Sequence, residues 1–234
     1  MKNKALILFS GGLDSTTVLY WAKNKFVEVL PVIIDYSQKH SIEVINAIKI
    51  AEKNRMKYIH IKFPLNEVLG SALLDSDIEI PESLESAKDE RGVPQTYVPF
   101  RNGIFLSLAA GIAETRGLKN ILTGFNLIDT PDYPDTTKLF SNKMEDVINE
   151  GTAASITGEK YRVITPLIDK SKKEIIELGL EMGADYSLSI SCYRGGEMPC
   201  LKCPSCDIRQ RAFDEIGIED PLISRLKTEK QNET

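Results

Sequence analysis

The sequence predicts an α/β protein: a parallel sheet covered by helices on both faces, followed by a C-terminal segment that carries four cysteines. Three observations predict it. Short apolar runs alternate with helix-period stretches along most of the chain, the pattern of strands joined by crossover helices. A glycine-rich turn, Ser10-Gly-Gly-Leu-Asp-Ser15, separates the first apolar run from the first helical stretch. All the cysteines, Cys192, Cys200, Cys203 and Cys206, fall in one Gly/Pro-rich stretch near the C-terminus.

The elements follow in order. Residues 5–9 read as a buried first strand and 15–25 as the helix behind it. Residues 27–34, 58–63, 121–123 and 161–164 read as further short strands. Helical patterns fill 41–55, 102–116 and 137–149, and in the second of these Ile104, Phe105, Leu108, Ala109 and Ile112 form one apolar stripe. Ser171-Lys-Lys-Glu174 is a capping box that opens another helix, ending near Gly183. A last helix-like stretch covers 207–216. Ligands of such sheets sit at the carboxyl ends of the strands, where the Ser-Gly-Gly turn emerges.

Three units are expected: an α/β domain over 1–185, a metal-binding segment over 186–226 packed on it, and a polar, flexible tail over 227–234. Residues 70–95 stand apart, with Asp75, Asp77, Glu79, Glu82 and Glu85 and little periodicity. A stretch of that kind is either a solvated excursion or a lid over a site.

The 234 residues suit one large domain, or one with a small appendage, and 42% of them are hydrophobic, ordinary for a globular protein. No apolar run is long enough to cross a bilayer. The N-terminus leads straight into the first strand and the glycine-rich turn, and removal of a signal peptide would take that turn with it. A cytoplasmic location is therefore expected. The net charge of −5 and a pI near 5.3 argue against a long nucleic acid as partner and favour a small-molecule substrate.

The turn between first strand and first helix has the chemistry of an anion site. Backbone N–H groups and the positive end of the helix dipole face the ligand. Gly11 and Gly12 let the backbone approach a phosphate, Ser10 and Ser15 offer hydroxyls, and Ser15 suits the helix N-cap. Asp14 beside a polyanion implies a bridging magnesium ion. The lysine of the nucleoside-triphosphate P-loop is missing, and so is GxGxxG spacing. Ser-Gly-Gly-x-Asp-Ser instead resembles the pyrophosphate loop of enzymes that cleave ATP between its α and β phosphates. The competing reading is a Gly-Gly turn with an Asp/Ser cap and no ligand.

The cysteines follow C-x7-C-x2-C-x2-C. Four thiolates at such spacing close a tetrahedral zinc site with no open position, a structural site. Disulfides do not suit a cytosolic chain. An iron–sulfur cluster is the alternative, although nothing else in the chain suggests electron transfer.

Taken together, the chain resembles the 7-cyano-7-deazaguanine synthase family of pyrophosphate-loop ATPases (N-type ATP pyrophosphatases). The resemblance runs through Phe9-Ser-Gly-Gly-Leu-Asp-Ser-Thr-Thr17, Asp35-Tyr-Ser-Gln-Lys-His40, Ser71-Ala-Leu73, Tyr97-Val-Pro-Phe-Arg-Asn102, Tyr133-Pro-Asp135, Thr165-Pro-Leu167, Ser191-Cys-Tyr193 and the cysteine run ending in Arg209. Three departures stand out. Ser37 and Phe100 occupy positions where the family commonly has glycine or another small residue, and the zinc run reads Pro-Cys-Leu-Lys-Cys-Pro-Ser-Cys.

The resemblance implies an adenine nucleotide alpha hydrolase-like fold and conversion of 7-carboxy-7-deazaguanine and ammonia to a nitrile at the expense of ATP, in queuosine or archaeosine biosynthesis. It implies ATP, magnesium and structural zinc as cofactors, a homodimer, and ammonia taken free or from a partner. Gly11, Gly12, Asp14, Ser15 and Thr16 would cradle pyrophosphate, within an ATP-binding stretch that also holds Phe9, Ser10, Leu13, Thr17, Val18 and Leu19. Asp35 and Tyr36 would lie near adenosine; Gln38, His40, Arg101 and Asp135 would bind substrate, Asp135 by accepting the N–H donors of the guanine-like edge. Asp14, Arg101 and Asn102 are the catalytic candidates, and Arg194 is a further candidate for the substrate site. Each has a plainer reading: Arg101 as a surface residue, His40 as a solvated helix start, Asp135 as a helix N-cap. Two other functions compete, an AMP-forming ligase that thiolates tRNA and a zinc-stabilised ATP-binding module without turnover.

Overall fold

A computed structural model describes residues 3–38, 41–67, 69–75, 78, 80, 88–90, 92–126 and 133–232. Its strands are β1 (Lys4–Leu8), β2 (Glu28–Asp35), β3 (Ile59–Lys62), β4 (Asn120–Leu122) and β5 (Arg162–Ile164). They form one parallel sheet in the order β3-β2-β1-β4-β5. The helices are α1 (Leu13–Lys25), α2 (Ser41–Lys53), α3 (Arg101–Arg116), α4 (Lys138–Gly151), α5 (Ala154–Thr157), α6 (Lys172–Glu181), α7 (Pro204–Glu215) and α8 (Pro221–Asn232). The strands expected from the sequence and the helices expected from it are all present, with ends moved by no more than a few residues.

Residue alternation in the strands decides which layer each side chain joins. Ala5, Ile7, Val29, Ile33 and Leu122 face Val18 and Leu19 of α1, Ile175 and Ile176 of α6, and Phe213 of α7. Leu6, Val32, Ile34 and Ile121 face Leu106, Ala109 and Ala113 of α3 and Met144 and Ile148 of α4. The sheet is thus covered on both sides, and its fully buried aliphatic side chains stabilise the fold by about 1.5–3 kcal/mol each.

Local signals fix the helix ends. The Ser171 hydroxyl accepts from Glu174 N–H while the Glu174 side chain accepts from Ser171 N–H, so the capping box forms. Thr137 accepts from Phe140 N–H at 3.0 Å and starts α4. Gly117, at φ 65°, ends α3.

Two elements differ from expectation. The short α5 has too few residues for its period to register in the sequence. The helix α8 covers most of what reads as a polar tail. Its first turn is capped by Asp220, whose carboxylate accepts Leu222 N–H at 3.0 Å, and Leu222 and Leu226 pack on the cysteine cluster. Arg225 and Glu229 pair one turn apart at 2.7 Å.

Of the acidic excursion, Asp77, Glu79, Glu82 and Glu85 lie outside the described residues. Its two ends are joined: Ala72 N–H donates to the Gln95 carbonyl at 2.8 Å and Ser71 Oγ donates to the same oxygen at 3.2 Å.

Candidate active site

The strand order reverses direction between β1 and β4, and loops leaving these two strands open a crevice there. A cavity of about 310 Å³ fills it, lined among others by Ser10, Asp14, Tyr36, Arg101, Thr123 and Lys172. Phe9, Gly12, Leu13, Ser15, Gln38 and Asn102 also line it.

The glycine-rich turn is built so that only glycine serves at its centre. Gly11 has φ 78°, and a Cβ there would lie 2.8 Å from the Ala47 backbone nitrogen in α2. Gly12, not Ser15, is the N-cap of α1. Ser15 lies inside the first turn and donates its hydroxyl back to the Gly12 carbonyl at 3.1 Å, with the Ser10 hydroxyl 3.1 Å away. The two hydroxyls thus stand together at the positive end of α1.

Asp14 is held from two sides. Lys172, the first residue of α6, places its ammonium 2.6 and 2.7 Å from the two carboxylate oxygens, and the Asn126 amide donates to one of them at 3.3 Å. Lys172 supplies a cation that the turn itself lacks. Its sequence signal, a place in the capping box, reads as helix geometry alone. Gly124 lets the β4 loop come this close, since a Cβ there would already be 3.2 Å from Ser15 N.

Across the cavity, Arg101 begins α3 and donates to the Tyr36 hydroxyl at 3.1 Å. Its guanidinium sits 5.4 Å from the Tyr36 ring centre and 6.0 Å from that of Phe105. Burial works against its charge, but Tyr36 and Asp135 outweigh burial and the guanidinium is held above its ordinary pKa. Burial pushes the Tyr36 hydroxyl up, against the pull of Arg101, so it stays protonated.

Other sites named from the sequence fall elsewhere. Thr16, Thr17, Val18 and Leu19 are buried in α1 and do not line the cavity. Thr17 Oγ1 instead bonds the Tyr186 hydroxyl at 2.6 Å. Asp35 accepts Ser37 N–H at 3.1 Å and lies off the cavity. Asp135 is 3% exposed, and its carboxylate accepts Asn102 N–H at 2.9 Å, which caps the start of α3 and fixes Arg101 and Asn102. Arg194 is exposed and also off the lining. His40 lies outside the described residues.

Sequence reasoning missed three groups besides Lys172. Thr123 is 1% exposed and lines the cavity, and its buried hydroxyl has no hydrogen-bond partner among the described residues. Ser191 accepts Leu13 N–H at 3.3 Å. Glu43, in the first turn of α2, reads in sequence as an ordinary acidic helix start yet lines the cavity.

The cysteine cluster adjoins this site. The four sulfurs lie within 4.8 Å of one another, and a tetrahedral zinc with Zn–S of about 2.3 Å spaces sulfurs about 3.8 Å apart. Cys200 N–H donates to Cys192 Sγ and Cys203 N–H to Cys200 Sγ, each at 3.3 Å. Hydrogen bonds from Cys203 and Cys206 hold the Cys192 thiol well down, while Cys192 pushes Cys203 up to about 11 and Cys206 higher still. A divalent cation at the centre resolves that competition, so the donor set fits zinc. Within the segment Arg209 ties α7 to its neighbours: its guanidinium makes a two-pronged pair with Asp220 at 2.5 and 2.8 Å and donates to the Ser189 carbonyl at 3.0 Å.

Comparison with known proteins gives one consistent answer. The sequence profile described as "Queuosine biosynthesis protein QueC" matches residues 4–217. The 7-cyano-7-deazaguanine synthase of Trichodesmium erythraeum is 42% identical over 221 residues, covering 94% of this chain and 100% of that one. The enzyme of the same name from Nostoc punctiforme is 40% identical over 221 residues, covering 94% and 99%. Among solved structures, NMN synthetase from Francisella tularensis superposes with a TM-score of 0.50 at 12% identity, covering 97% of this chain and 83% of that one. That likeness speaks to the fold.

Proposed function

The chain belongs to the QueC family of queuosine biosynthesis proteins, and we infer from that membership that it catalyses the reaction of its relatives, formation of 7-cyano-7-deazaguanine as an ATP-dependent ligase. The observation that carries the reading is the sharing of one cavity by the Ser10–Ser15 turn and Arg101. One wall suits a polyphosphate, and the other suits a carboxylate.

The chemistry sets what the residues must do. The oxygen of 7-carboxy-7-deazaguanine attacks the α-phosphate of ATP and expels pyrophosphate, giving an acyl adenylate. Ammonia adds at the carbonyl carbon, AMP leaves, and a proton is lost to give the amide. A second ATP adenylates the amide oxygen with release of pyrophosphate, and loss of AMP and a proton gives the nitrile.

Gly11, Gly12 and the N–H groups at the start of α1 hold the pyrophosphate moiety, with Ser10 and Ser15 as hydroxyl donors. Magnesium, held by Asp14, would neutralise the charge of the leaving pyrophosphate. Lys172 stands ready to take part of that role through its contact with Asp14. Arg101 orients the substrate carboxylate and steadies charge at the α-phosphate, positional and electrostatic work rather than covalent catalysis. Asn102 and Asp135 keep Arg101 in place; Tyr36 and Gln38 line the substrate side. The four cysteines hold zinc as a structural ion.

Further readings complete the proposal. Ammonia is the nitrogen source, and the protein works in the cytoplasm; no described helix is long and apolar enough to cross a membrane. Exposed Leu139 and Val147 of α4 and Ile156 of α5 offer apolar surface for a homodimer.

Isotope exchange tests the activation step. With 7-carboxy-7-deazaguanine, ATP and magnesium but no ammonia, labelled pyrophosphate enters ATP. Exchange that does not depend on the acid, or its absence, contradicts the reading.

A further inference from the structure

Glu43 lines the cavity together with Tyr36, Gln38, Arg101 and Tyr193, and interacts through space with Tyr36 and Arg101. Among the described residues it has no hydrogen-bond or ion-pair partner, although Arg101 acts on it through space. The other carboxylates nearby are engaged: Asp14 by Lys172, Asp35 by Ser37 N–H, and Asp135 by Asn102 N–H. Burial pushes the Glu43 carboxyl up despite the opposing pull of Arg101, with the nearby Cys192 thiolate adding to the rise. Glu43 is partly buried and lines the cavity, so a carboxylate there without donors is open to a ligand that supplies them.

We propose that Glu43 is a specificity-determining residue that accepts the paired N–H donors of the deazaguanine edge. The inference rests on the functional reading above. The substrate ring carries a ring N–H next to an exocyclic amino group, two donors pointing the same way. Two parallel donors match the two oxygens of one carboxylate. The Tyr36 and Phe105 rings, edge to face at 5.4 Å, add aromatic surface to the cavity that the bicyclic ring can contact. The two charges then set its orientation: the substrate carboxylate turns to Arg101 and the N–H edge to Glu43. A site built around a hydrogen bond rejects an analogue that lacks the donor, because the buried acceptor is left unpaired.

The test pairs a residue with a substrate atom. Wild-type protein and Glu43→Gln are titrated calorimetrically and assayed with 7-carboxy-7-deazaguanine and with its analogue lacking the 2-amino group. Glu43→Gln raises KM and Kd for the natural acid roughly tenfold or more while KM for ATP stays within about twofold. Wild type binds the deamino analogue about as weakly, and Glu43→Gln loses little further on it. A variant that keeps its affinity for the acid and loses only kcat assigns Glu43 to the amine step and overturns the proposal. Should the variant fail to fold, wild type alone decides: equal affinity for the two acids contradicts the assignment. Wild type that turns over the natural acid but ignores the 2-amino group removes this assignment alone. Wild type that binds neither acid removes the functional reading and the assignment with it.

Discussion

The ammonium of Lys172, 2.6 Å from Asp14 Oδ2, joins the start of α6 to the first turn of α1 across the mouth of the cavity. The two residues are 158 positions apart in sequence. Their side chains are only 15% and 25% exposed, so the pair is more than a surface ion pair.

Asp14→Ala therefore has two separable consequences. Turnover is abolished, because the group that would hold magnesium is gone. Stability falls by only about 1–3 kcal/mol, the cost of leaving a partly buried lysine unpaired. Thermal unfolding and zinc content, measured beside activity, distinguish this outcome from global unfolding; near-normal activity removes Asp14 from the mechanism.

Arg101→Ala slows acid-dependent pyrophosphate exchange by about 10²–10³-fold, the scale of losing a preorganised donor to a developing oxyanion. ATP binding changes much less, since Arg101 stands across the cavity from the loop. Comparison of the exchange rate with the Kd for ATP checks the split, and an unchanged rate rejects the role.

Two hydrogen bonds link the cysteine segment to the glycine-rich turn. Ser191, next to Cys192, accepts Leu13 N–H at 3.3 Å, and Ile190 N–H donates to the Gly11 carbonyl at 3.2 Å. Removing zinc should loosen both, so chelated protein binds ATP more weakly as well as melting earlier. Titration of ATP into zinc-free protein below its melting temperature tests this; unchanged affinity uncouples the two sites.

The two departures from glycine both sit in left-handed backbone: Ser37 at φ 60° and Phe100 at φ 54°. A non-glycine residue there is strained by about 1–2 kcal/mol. Ser37→Gly should raise stability by about 0.5–1 kcal/mol, read as a higher Tm. Phe100→Gly should gain nothing, because the ring covers Gly103 and meets Phe140 edge to face at 6.0 Å. A falling Tm in Ser37→Gly contradicts the strain argument.

Gly179 is fixed by packing. A Cβ there would lie 1.7 Å from the Tyr186 hydroxyl, the partner of Thr17. Gly179→Ala should cost about 1–3 kcal/mol in denaturant unfolding. A neutral result would mean that Tyr186 moves without loss.

The legible parts of this protein are those with local causes. Alternating apolar runs such as Ala5–Leu6–Ile7 set strand and face, and Ser171 with Glu174 set a helix start within four residues. The turn at Ser10–Ser15 and the four cysteines carry their chemistry in their spacing. What was not legible depends on distant chain. Lys172 meets Asp14, Glu43 joins the cavity, and Asp135 turns to Asn102 N–H only once the sheet is assembled. Thr17 sits in the ATP-loop motif by sequence, yet its place on α1 points it to Tyr186 in the core.

The most direct test incubates the purified protein with ATP, magnesium, ammonium and 7-carboxy-7-deazaguanine and follows products by liquid chromatography–mass spectrometry. The account predicts 7-cyano-7-deazaguanine with AMP and pyrophosphate, two of each per nitrile. Folded, zinc-loaded protein that binds ATP yet yields no nitrile would contradict it.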